Sequence, residues 1–309
     1  MKKVINNGLC LIFMTAMYVS NVMANGYNAS ASQFFWNKYQ MNPAYAGSEK
    51  LLSTCFSMRA SELGIAGRPV YTVLTSNAAL NSTSGVGVGF YNNTAGAMNY
   101  FRANASYSHK LQLKDKTSLI LGLNLGSISE SLIPNKIDDD LQSMQALQSY
   151  SNKPTSLIGG FGVVYKNEKM EVGLSLPTLK QGMFSKNDFA STFPVATINS
   201  SYNYQYGDHR VTPILNYSYY SFGNKRHELV MGAEYSYTGV VAFFSIIDVS
   251  NGFFSGGMKY HSKENWNLML GYSTDTSVVG RIFGGILELS LGHKFDLSTL
   301  FKKKSDSLN

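Results

Sequence analysis

The stretch that decides the fold is YFRANASYSHKLQL, residues 100–113. Its odd-numbered positions from Phe101 onward are apolar apart from His109, whereas its even-numbered positions from Arg102 onward are polar. Successive side chains of a β-strand point to opposite faces, so this period of two predicts a strand with one apolar and one polar face. The strand exceeds the roughly five to six residues usual in soluble sheets, and it meets the roughly 9 to 11 needed to cross a bilayer.

The same alternation recurs along most of the chain. Bounding each alternating run by Gly, Asn, Asp and Pro turns predicts about 14 strands, most of them roughly 9 to 14 residues long. They are 50–60, 69–79, 83–92, 98–113, 116–127, 156–167, 169–176, 193–207, 209–221, 226–237, 239–247, 251–262, 266–274 and 283–296. We therefore predict an all-β protein, a transmembrane antiparallel β-barrel of the outer-membrane type over residues 49–297.

Charged residues within the predicted strands fall on the polar face. They are Arg59, Arg102, Lys110, Glu171, Glu228, Glu234, Lys259 and Glu288. A cationic side chain on the lipid face of a barrel costs roughly 2–4 kcal/mol at mid-bilayer, so the polar face is predicted to line the lumen. The charges predicted to face the lumen include Arg102, Lys110, Glu234 and Glu288.

Aromatic residues near the strand ends favour the membrane over a soluble sandwich. A sandwich would alternate too, with its polar face in water and its apolar face against a second sheet. It would not need aromatic side chains near so many strand ends, whereas a barrel uses them as interfacial girdles. The residues predicted for the girdles are Tyr100, Tyr204, Tyr206, Tyr217, Tyr219, Tyr235, Tyr237, Tyr260, Trp266 and Tyr272.

The first 24 residues have the pattern of a secretory signal. Lys2 and Lys3 precede an apolar run over 9–19, and the small-residue site at 22–24 predicts cleavage before Asn25. A membrane anchor would need roughly 18 consecutive apolar residues, more than this run supplies. We therefore predict export through a Sec-type signal peptide to the outer membrane.

Charge and cysteine content exclude several classes of function. Loss of Lys2 and Lys3 lowers the net charge from +7 to +5, and the Lys and Arg residues are not clustered as in a nucleic-acid surface. The signal peptide also contains Cys10, so only Cys55 remains, and neither a disulfide nor a metal-binding cysteine spacing is predicted. We expect no nucleic-acid partner, no metal and no cofactor.

No motif indicates catalysis. The glycine-rich stretches GVGVGF, GFGVV and GGILE lack the spacing of a phosphate-binding loop, and glycine in a strand allows curvature or close backbone approach. The histidines lie mostly at strand ends, and nothing in the sequence pairs any of them with a nucleophilic serine. They are His109, His209, His227, His261 and His293. We predict that the protein is not an enzyme.

The region 128–155 breaks the alternation. It is too polar and too long for a tight turn, and we predict a surface loop on the outside face with a short helix over 138–148. The acidic run 138–140 lacks the ordered spacing and the glycine of an EF-hand. Acidic residues at a helix start are stabilised by the helix dipole without any metal.

The mature N-terminus carries the most specific motif. QFFWNKYQMNPAYAGS, residues 33–48, leads from an aromatic run into Asn-Pro-Ala-Tyr-Ala-Gly. It resembles the PorP/SprF family of type IX secretion system membrane proteins from the Bacteroidetes. The resemblance continues in order through GRPVYT, GVGVGFYNNTAG, YSHKLQL, LILGLNLG and VGLSLPTL. It thus covers essentially the whole mature chain.

Two features depart from the family pattern. After Arg59 the family usually has a Gln-Trp pair, whereas this chain continues Ala60-Ser61-Glu62, so a role resting on that aromatic residue is not expected. The last strand is followed by a basic polar tail, 298–309, instead of ending at a terminal aromatic residue. The signal for barrel assembly, which such a terminal aromatic residue would provide, is then expected within the chain, with the region around Phe295 as one candidate.

The N-terminal segment, residues 25–48, admits two interpretations. Proline biases Asn42 toward an extended conformation and starts a turn, and Gly47 is free to adopt positive φ as the chain enters the first strand. The turn either anchors the segment at or inside the barrel mouth or forms a docking surface. The candidate site residues are Phe34, Phe35, Trp36, Tyr39, Asn42, Pro43, Ala44, Tyr45, Gly47 and Arg59.

The resemblance implies a component of the type IX secretion machinery. Expected partners are periplasmic ring and translocon proteins, secreted cargo or adhesin domains such as those used in gliding, and outer-membrane lipid. A different class of function stays open: a passive outer-membrane porin or hydrophobic-ligand transporter whose polar interior, with Arg102, Glu234 and Glu288, sets selectivity.

Overall fold

A computed structural model describes residues 32–49, 51–133, 154–177, 196–220, 226–250, 252–275 and 284–296. Nearly all of them belong to one antiparallel sheet. Its strands are β1 (Leu52–Ala60), β2 (Val70–Ala79), β3 (Ser84–Ala95), β4 (Met98–Lys114), β5 (Thr117–Leu132), β6 (Ser156–Lys166), β7 (Met170–Leu176), β8 (Ala196–Tyr202), β9 (Tyr204–Tyr206), β10 (His209–Tyr220), β11 (Arg226–Tyr237), β12 (Val241–Asp248), β13 (Phe253–His261), β14 (Trp266–Asp275) and β15 (Ile286–Phe295).

The sheet closes on itself. The first strand pairs with the last, from Leu52 opposite Phe295 to Ala60 opposite Leu287, and the other strands pair in chain order. Strands β8 and β9 are two parts of one strand interrupted at Asn203, and both pair with β10. The result is a closed barrel of 14 strands, as predicted. Closure leaves no open sheet edge, so the backbone groups satisfy one another as a lipid environment requires.

All of the predicted strands are present, and 226–237 matches β11 in its bounds. The prediction that 128–132 belongs to a loop is wrong. Strand β5 runs on to Leu132, which pairs with Met98 of the long strand β4. The polar run SESL gave no alternation from which this part of the strand could be predicted. Ile128, just before the run, points into the lumen and is fully buried against neighbouring apolar side chains.

Most of the predicted loop beyond Ile133 lies outside the residues that the structure describes. The predicted helix over 138–148 and the acidic run 138–140 lie outside the described residues, as do the signal peptide and the tail after 296. No helix among the described residues is both long and apolar enough to span a bilayer.

The outward-facing side chains are mostly apolar, whereas the inward-facing side chains combine most of the polar residues of the strands with apolar clusters such as that around Ile128. On β4, the outward-facing Phe101 is 39% exposed, whereas the inward-facing Arg102 beside it is 5% exposed. The girdle prediction is wrong for Tyr100, which shares the lumen face of Arg102 and packs against Ile128 and Ile158. Tyr100 and Arg102 are two residues apart in one strand, so their side chains lie on the same face of the sheet.

The two ends of the barrel differ in the lengths of their connections. We call one end the short-turn rim, because its connections are 80–83, 115–116, 167–169, 207–208, 238–240 and 262–265. Residue Glu49, before β1, and Asp296, after β15, also lie at this rim. The opposite long-loop rim has connections that include 61–69, 133–155, 177–195 and 276–285. In outer-membrane barrels the short turns face the periplasm and the longer loops face outward.

Candidate functional site

Residues 32–48, which we call the plug, lie inside the barrel. They form the short helices α1 (Ser32–Trp36) and α2 (Lys38–Met41) and a 3-10 turn (Pro43–Tyr45). Asn42 is fully buried and Phe34 is 2% exposed, although both belong to a segment outside the sheet. The lumen of a barrel this wide is not filled by wall side chains alone, so the plug supplies the missing packing.

The turn forms for the reasons that the sequence indicated. Asn42 is extended, with φ −150° and ψ 122°, and its side-chain oxygen accepts a hydrogen bond from the Ala44 amide at 2.9 Å. Pro43 opens the turn, where its missing N–H costs nothing. Gly47 has φ +67°, in the left-handed region that glycine tolerates best. Both conformational predictions for this motif are confirmed.

One side of the plug is bound to Glu171 of β7. The Tyr45 hydroxyl donates to this carboxylate at 2.6 Å, and the Lys38 ammonium donates to the same oxygen at 2.5 Å. Lys166 of β6 lies 3.7 Å from the other oxygen. The Glu171 carboxylate is buried, whereas Lys38 and Lys166 remain partly exposed, and these charge-assisted contacts hold the plug against β6 and β7.

The opposite side of the plug is bound to Glu288 and Lys259. The Glu288 carboxylate accepts hydrogen bonds from the side chains of Ser32 and Gln33. The Lys259 ammonium donates to the Phe35 carbonyl at 2.8 Å and also pairs with Glu234. Contacts with β7, β13 and β15 together mean that the plug crosses the lumen from wall to wall.

Four glycines of the wall make room for the plug, and we call them the glycine trough: Gly85, Gly87, Gly122 and Gly162. A Cβ atom at Gly122 would overlap the Ala44 backbone, and one at Gly162 would overlap the Asn42 side chain. Both glycines point into the lumen on adjacent strands, β5 and β6, where they face each other in the register. Their lack of a side chain is what allows the turn to seat directly on the sheet.

Two motifs that are far apart in the chain meet at Asn42. Its side-chain amide donates to the Leu174 carbonyl at 3.0 Å, and Leu174 belongs to the VGLSLPTL stretch. The same side chain caps the turn through Ala44. Asn42 is therefore the residue at which the N-terminal motif is fixed to the wall.

Substitution of Asn42 is expected to loosen the plug. Asn42→Ala removes the cap and the bond to Leu174 and leaves the Ala44 amide unpaired, which should lower the free energy of unfolding by about 2 kcal/mol. Asn42→Asp loses the donor and places a carboxylate oxygen against the Leu174 carbonyl oxygen in a fully buried site, so it should be no more stable than Asn42→Ala. Denaturant unfolding of the refolded barrel in detergent measures both, and equal stability of Asn42→Ala and wild type would contradict this role.

Two plug tyrosines are held as neutral phenols. Burial raises the pKa of Tyr39 above its ordinary value, and the neighbouring Tyr91 adds to the effect. Burial also raises the pKa of Tyr45 well above its ordinary value, with the Glu171 carboxylate as a second cause. Both hydroxyls donate hydrogen bonds, Tyr39 to Ser106 at 3.1 Å and Tyr45 to Glu171.

A pH dependence follows from these raised pKa values. Below the ordinary phenol pKa of about 10, both the folded and the unfolded states are neutral, so the contribution of Tyr45 is complete. Above it only the unfolded state ionises, and stability falls as the pH rises. We expect the unfolding midpoint to drop above about pH 10, and to drop less steeply in Tyr45→Phe. Parallel pH profiles of the two proteins would argue against this coupling.

The other predicted site residues are distributed differently. The Trp36 indole N–H donates to Cys55 Sγ at 2.7 Å, and Phe35 packs against Phe244 with ring centroids 5.9 Å apart. Arg59 lies on β1 opposite Glu288 in the register, and it belongs to the wall and not to the plug. Four of the remaining predicted residues, Phe34, Pro43, Ala44 and Gly47, all belong to the plug.

The predicted lumen charges have different neighbours. Arg102 is buried with its guanidinium carbon 5.0 Å from the Tyr91 ring centroid. Glu234 pairs with Lys259, and Glu288 binds the plug as described. Lys110 is half-buried near the short-turn rim, where its backbone N–H bonds to the Thr83 carbonyl.

Sequence reasoning did not single out the wall partners of the plug. Glu171 and Lys259 had been assigned only to the polar face, and the glycine trough only to strands. The repeated glycines at alternate positions, as in 85–89, carried a usable indication, because alternate glycines on a lumen face leave a groove in the wall.

No catalytic or metal site stands out in the part of the chain that the structure describes. Within it, no group of three or more His, Cys, Asp and Glu side chains is arranged to hold a metal ion. Ser84 Oγ lies 3.5 Å from His109 Nδ1 and 3.1 Å from the Tyr107 hydroxyl. The distance to the histidine exceeds the roughly 2.6–3.2 Å typical of an activated nucleophile.

Comparisons with known proteins agree with this architecture. The family model for the type IX secretion system membrane protein PorP/SprF matches residues 24–305. The CymD monoaromatic hydrocarbon channel has a TM-score of 0.50 at 14% identity, covering 88% of this chain and 95% of that chain. The Ralstonia pickettii toluene transporter TbuX has a TM-score of 0.50 at 10% identity, covering 89% and 96%. At these identities the structures share the barrel fold alone, and no curated protein matches the chain.

Proposed function

The chain belongs to the PorP/SprF family of type IX secretion system membrane proteins, and from this premise we propose that it acts by protein–protein contact in the outer membrane. In this proposal it supports export or surface attachment of cargo, such as adhesins used in gliding. Its partners are periplasmic ring and translocon components on one side, and cargo domains on the other. The family and the structurally similar barrels are secretion and channel proteins, which supports a role without catalysis.

The observation that carries the proposal is the plug. It crosses the lumen, binds Glu171 on one wall and Glu288 on the other, and buries Asn42 completely. Because the plug is fixed at both walls and fills the lumen, the surfaces left for contact with large partner proteins are the two rims and the lipid-facing side of the barrel. In outer-membrane barrels the short turns face the periplasm and the longer loops face outward, so in this proposal the short-turn rim contacts the machinery and the long-loop rim contacts cargo.

Deletion of the gene tests the partner role. We expect one or more exported proteins to disappear from the cell surface, and the wild-type gene supplied in trans to restore them. Co-purification in mild detergent then identifies the partners. An unchanged set of surface proteins in the deletion strain, with the barrel verified as absent, would contradict the proposal.

The alternative, a passive porin or a hydrophobic-ligand transporter, predicts a different result. A porin needs a continuous aqueous path, and the plug occupies the wall-to-wall space where that path would run. Liposomes containing the purified barrel test the porin, because swelling reports the passage of water-soluble solutes. Rapid swelling in small sugars would support the porin, whereas swelling no faster than in empty liposomes is expected for the plugged barrel.

A further inference from the structure

A cavity of about 240 Å³ lies between the plug and the wall at the short-turn rim. The plug contributes Trp36 and Lys38 to its lining, and the wall contributes His261, Asn267 and Lys294. These wall residues come from the ends of β13, β14 and β15, beside the entry of the chain into β1. The cavity is therefore placed where a protein on the periplasmic side would reach it.

The lining combines cationic and aromatic groups with one carboxylate, that of Glu49. Lys38 and Lys294 are each about one-third exposed, at 35% and 33% of their side-chain surface. His261 and Asn267 are hydrogen-bonded to each other at 2.6 Å and add polar groups at the same mouth. Trp36 is half-buried, with its ring against Gly292. Ammonium groups bind carboxylates, and an indole packs against apolar side chains and peptide groups.

The partner of Lys294 is easily exchanged. Its ammonium lies 3.0 Å from the Glu49 carboxylate, whose side chain is 50% exposed. Exposed ion pairs of this kind contribute little to stability, so an incoming carboxylate can replace Glu49 at small cost. Lys38, by contrast, is already held by the buried Glu171 and forms a fixed part of the cavity.

We propose that this cavity binds a carboxylate-bearing peptide segment of a periplasmic protein, with Lys294 pairing with the carboxylate and Trp36 packing against a neighbouring apolar side chain. The carboxylate is supplied by an acidic side chain or by a chain terminus. That the segment belongs to the secretion apparatus rests on the proposed function. The proposal that the cavity binds a carboxylate does not depend on the proposed function.

The intrinsic fluorescence of Trp36 offers a direct test. The chain has two tryptophans, so Trp266→Phe leaves Trp36 as the sole indole reporter in the purified full-length barrel. The probes are the blocked dipeptides acetyl-Phe-Asp-amide, acetyl-Phe-Asn-amide and acetyl-Phe-Lys-amide, and acetyl-Phe-Gly with a free terminus. We expect saturable fluorescence changes with the Asp peptide, the free-terminus peptide or both, and none with the Asn or the Lys peptide. The Asp and free-terminus arms distinguish the two carboxylate sources.

Two substitutions are expected to act in opposite directions. Lys294→Gln should weaken carboxylate binding about tenfold, the loss of one charge-assisted hydrogen bond. Glu49→Gln removes the competitor and should tighten binding about two- to fivefold. Lys263→Gln, in the 262–265 turn of the same rim, is the matched control and should leave binding unchanged.

The outcomes are decisive in either direction. A structural role for the Lys294–Glu49 pair would make both substitutions act alike, so opposite shifts support a binding site. Absence of a saturable response to every carboxylate peptide, or an equal response to the Lys peptide, would overturn the proposal. Because the test uses purified protein, its failure is separate from a failure of the surface-protein experiment.

Discussion

Removal of the plug, residues 32–48, is expected to turn a closed barrel into an open pore. Fourteen strands enclose a lumen too wide to be filled by the side chains of the wall alone. The plug spans this lumen and bonds to Glu171 on one side and to Glu288 on the other. Single-channel recording in planar bilayers measures the change. We expect the wild type to be closed and the deletion variant to show long-lived openings. A folded deletion variant that conducts no more than the wild type would show that something else closes the lumen.

A single substitution should reproduce part of this effect. Gly122→Ala places a Cβ against the Ala44 backbone, so the turn must leave its seat or the strand must shift. Overpacking of this kind costs about 1–3 kcal/mol, enough to populate an unseated plug. Gly159→Ala is the matched control, because the nearest atom to its Cβ is the Asn124 carbonyl oxygen at 3.7 Å. Frequent openings in Gly122→Ala, but not in Gly159→Ala, are the expected pattern.

The barrel was predictable because its determinant is local. A period of two in side-chain polarity needs only the strand itself, and most strand bounds were predicted within a few residues. The failure at 128–132 has the same origin. Strand β5 continues there because residues 128–132 pair with the beginning of β4, from Met98 onward. Pairing with another strand cannot be recognised from the polarity of residues 128–132 themselves.

The plug was only partly predictable because its determinants are non-local. The conformations of Asn42 and Gly47 follow from the residues themselves and from Pro43. The side of the wall that receives the turn depends on Glu171, which is more than a hundred residues away in the chain. Nothing in the alternation of β7 distinguishes a carboxylate that binds the plug from one that merely lines the lumen.

Glu171→Gln is expected to release the plug from its wall. The substitution keeps the size of the side chain but removes the charge that binds Lys38, and it places amide hydrogens near the Tyr45 hydroxyl, itself a donor. Loss of charge-assisted hydrogen bonds costs roughly 1.5–3 kcal/mol each, and the exposure of Lys38 places the total toward the lower end. Trypsin provides the readout, because cleavage after Lys38 requires the plug to leave the lumen.

Two further variants identify the cause of that release. Glu168→Gln changes a carboxylate three residues earlier that pairs with the exposed Lys116 and not with the plug among the described residues, so it should leave the rate of cleavage unchanged. Lys38→Met combined with Glu171→Gln removes both charges and also the trypsin site, so its stability is compared with that of Glu171→Gln by denaturant unfolding. It should restore much of the lost stability, because the cost comes from an unpaired charge. A double variant as unstable as Glu171→Gln would instead assign the effect to the Tyr45 bond, and equal cleavage of Glu168→Gln and Glu171→Gln would remove Glu171 from the anchor.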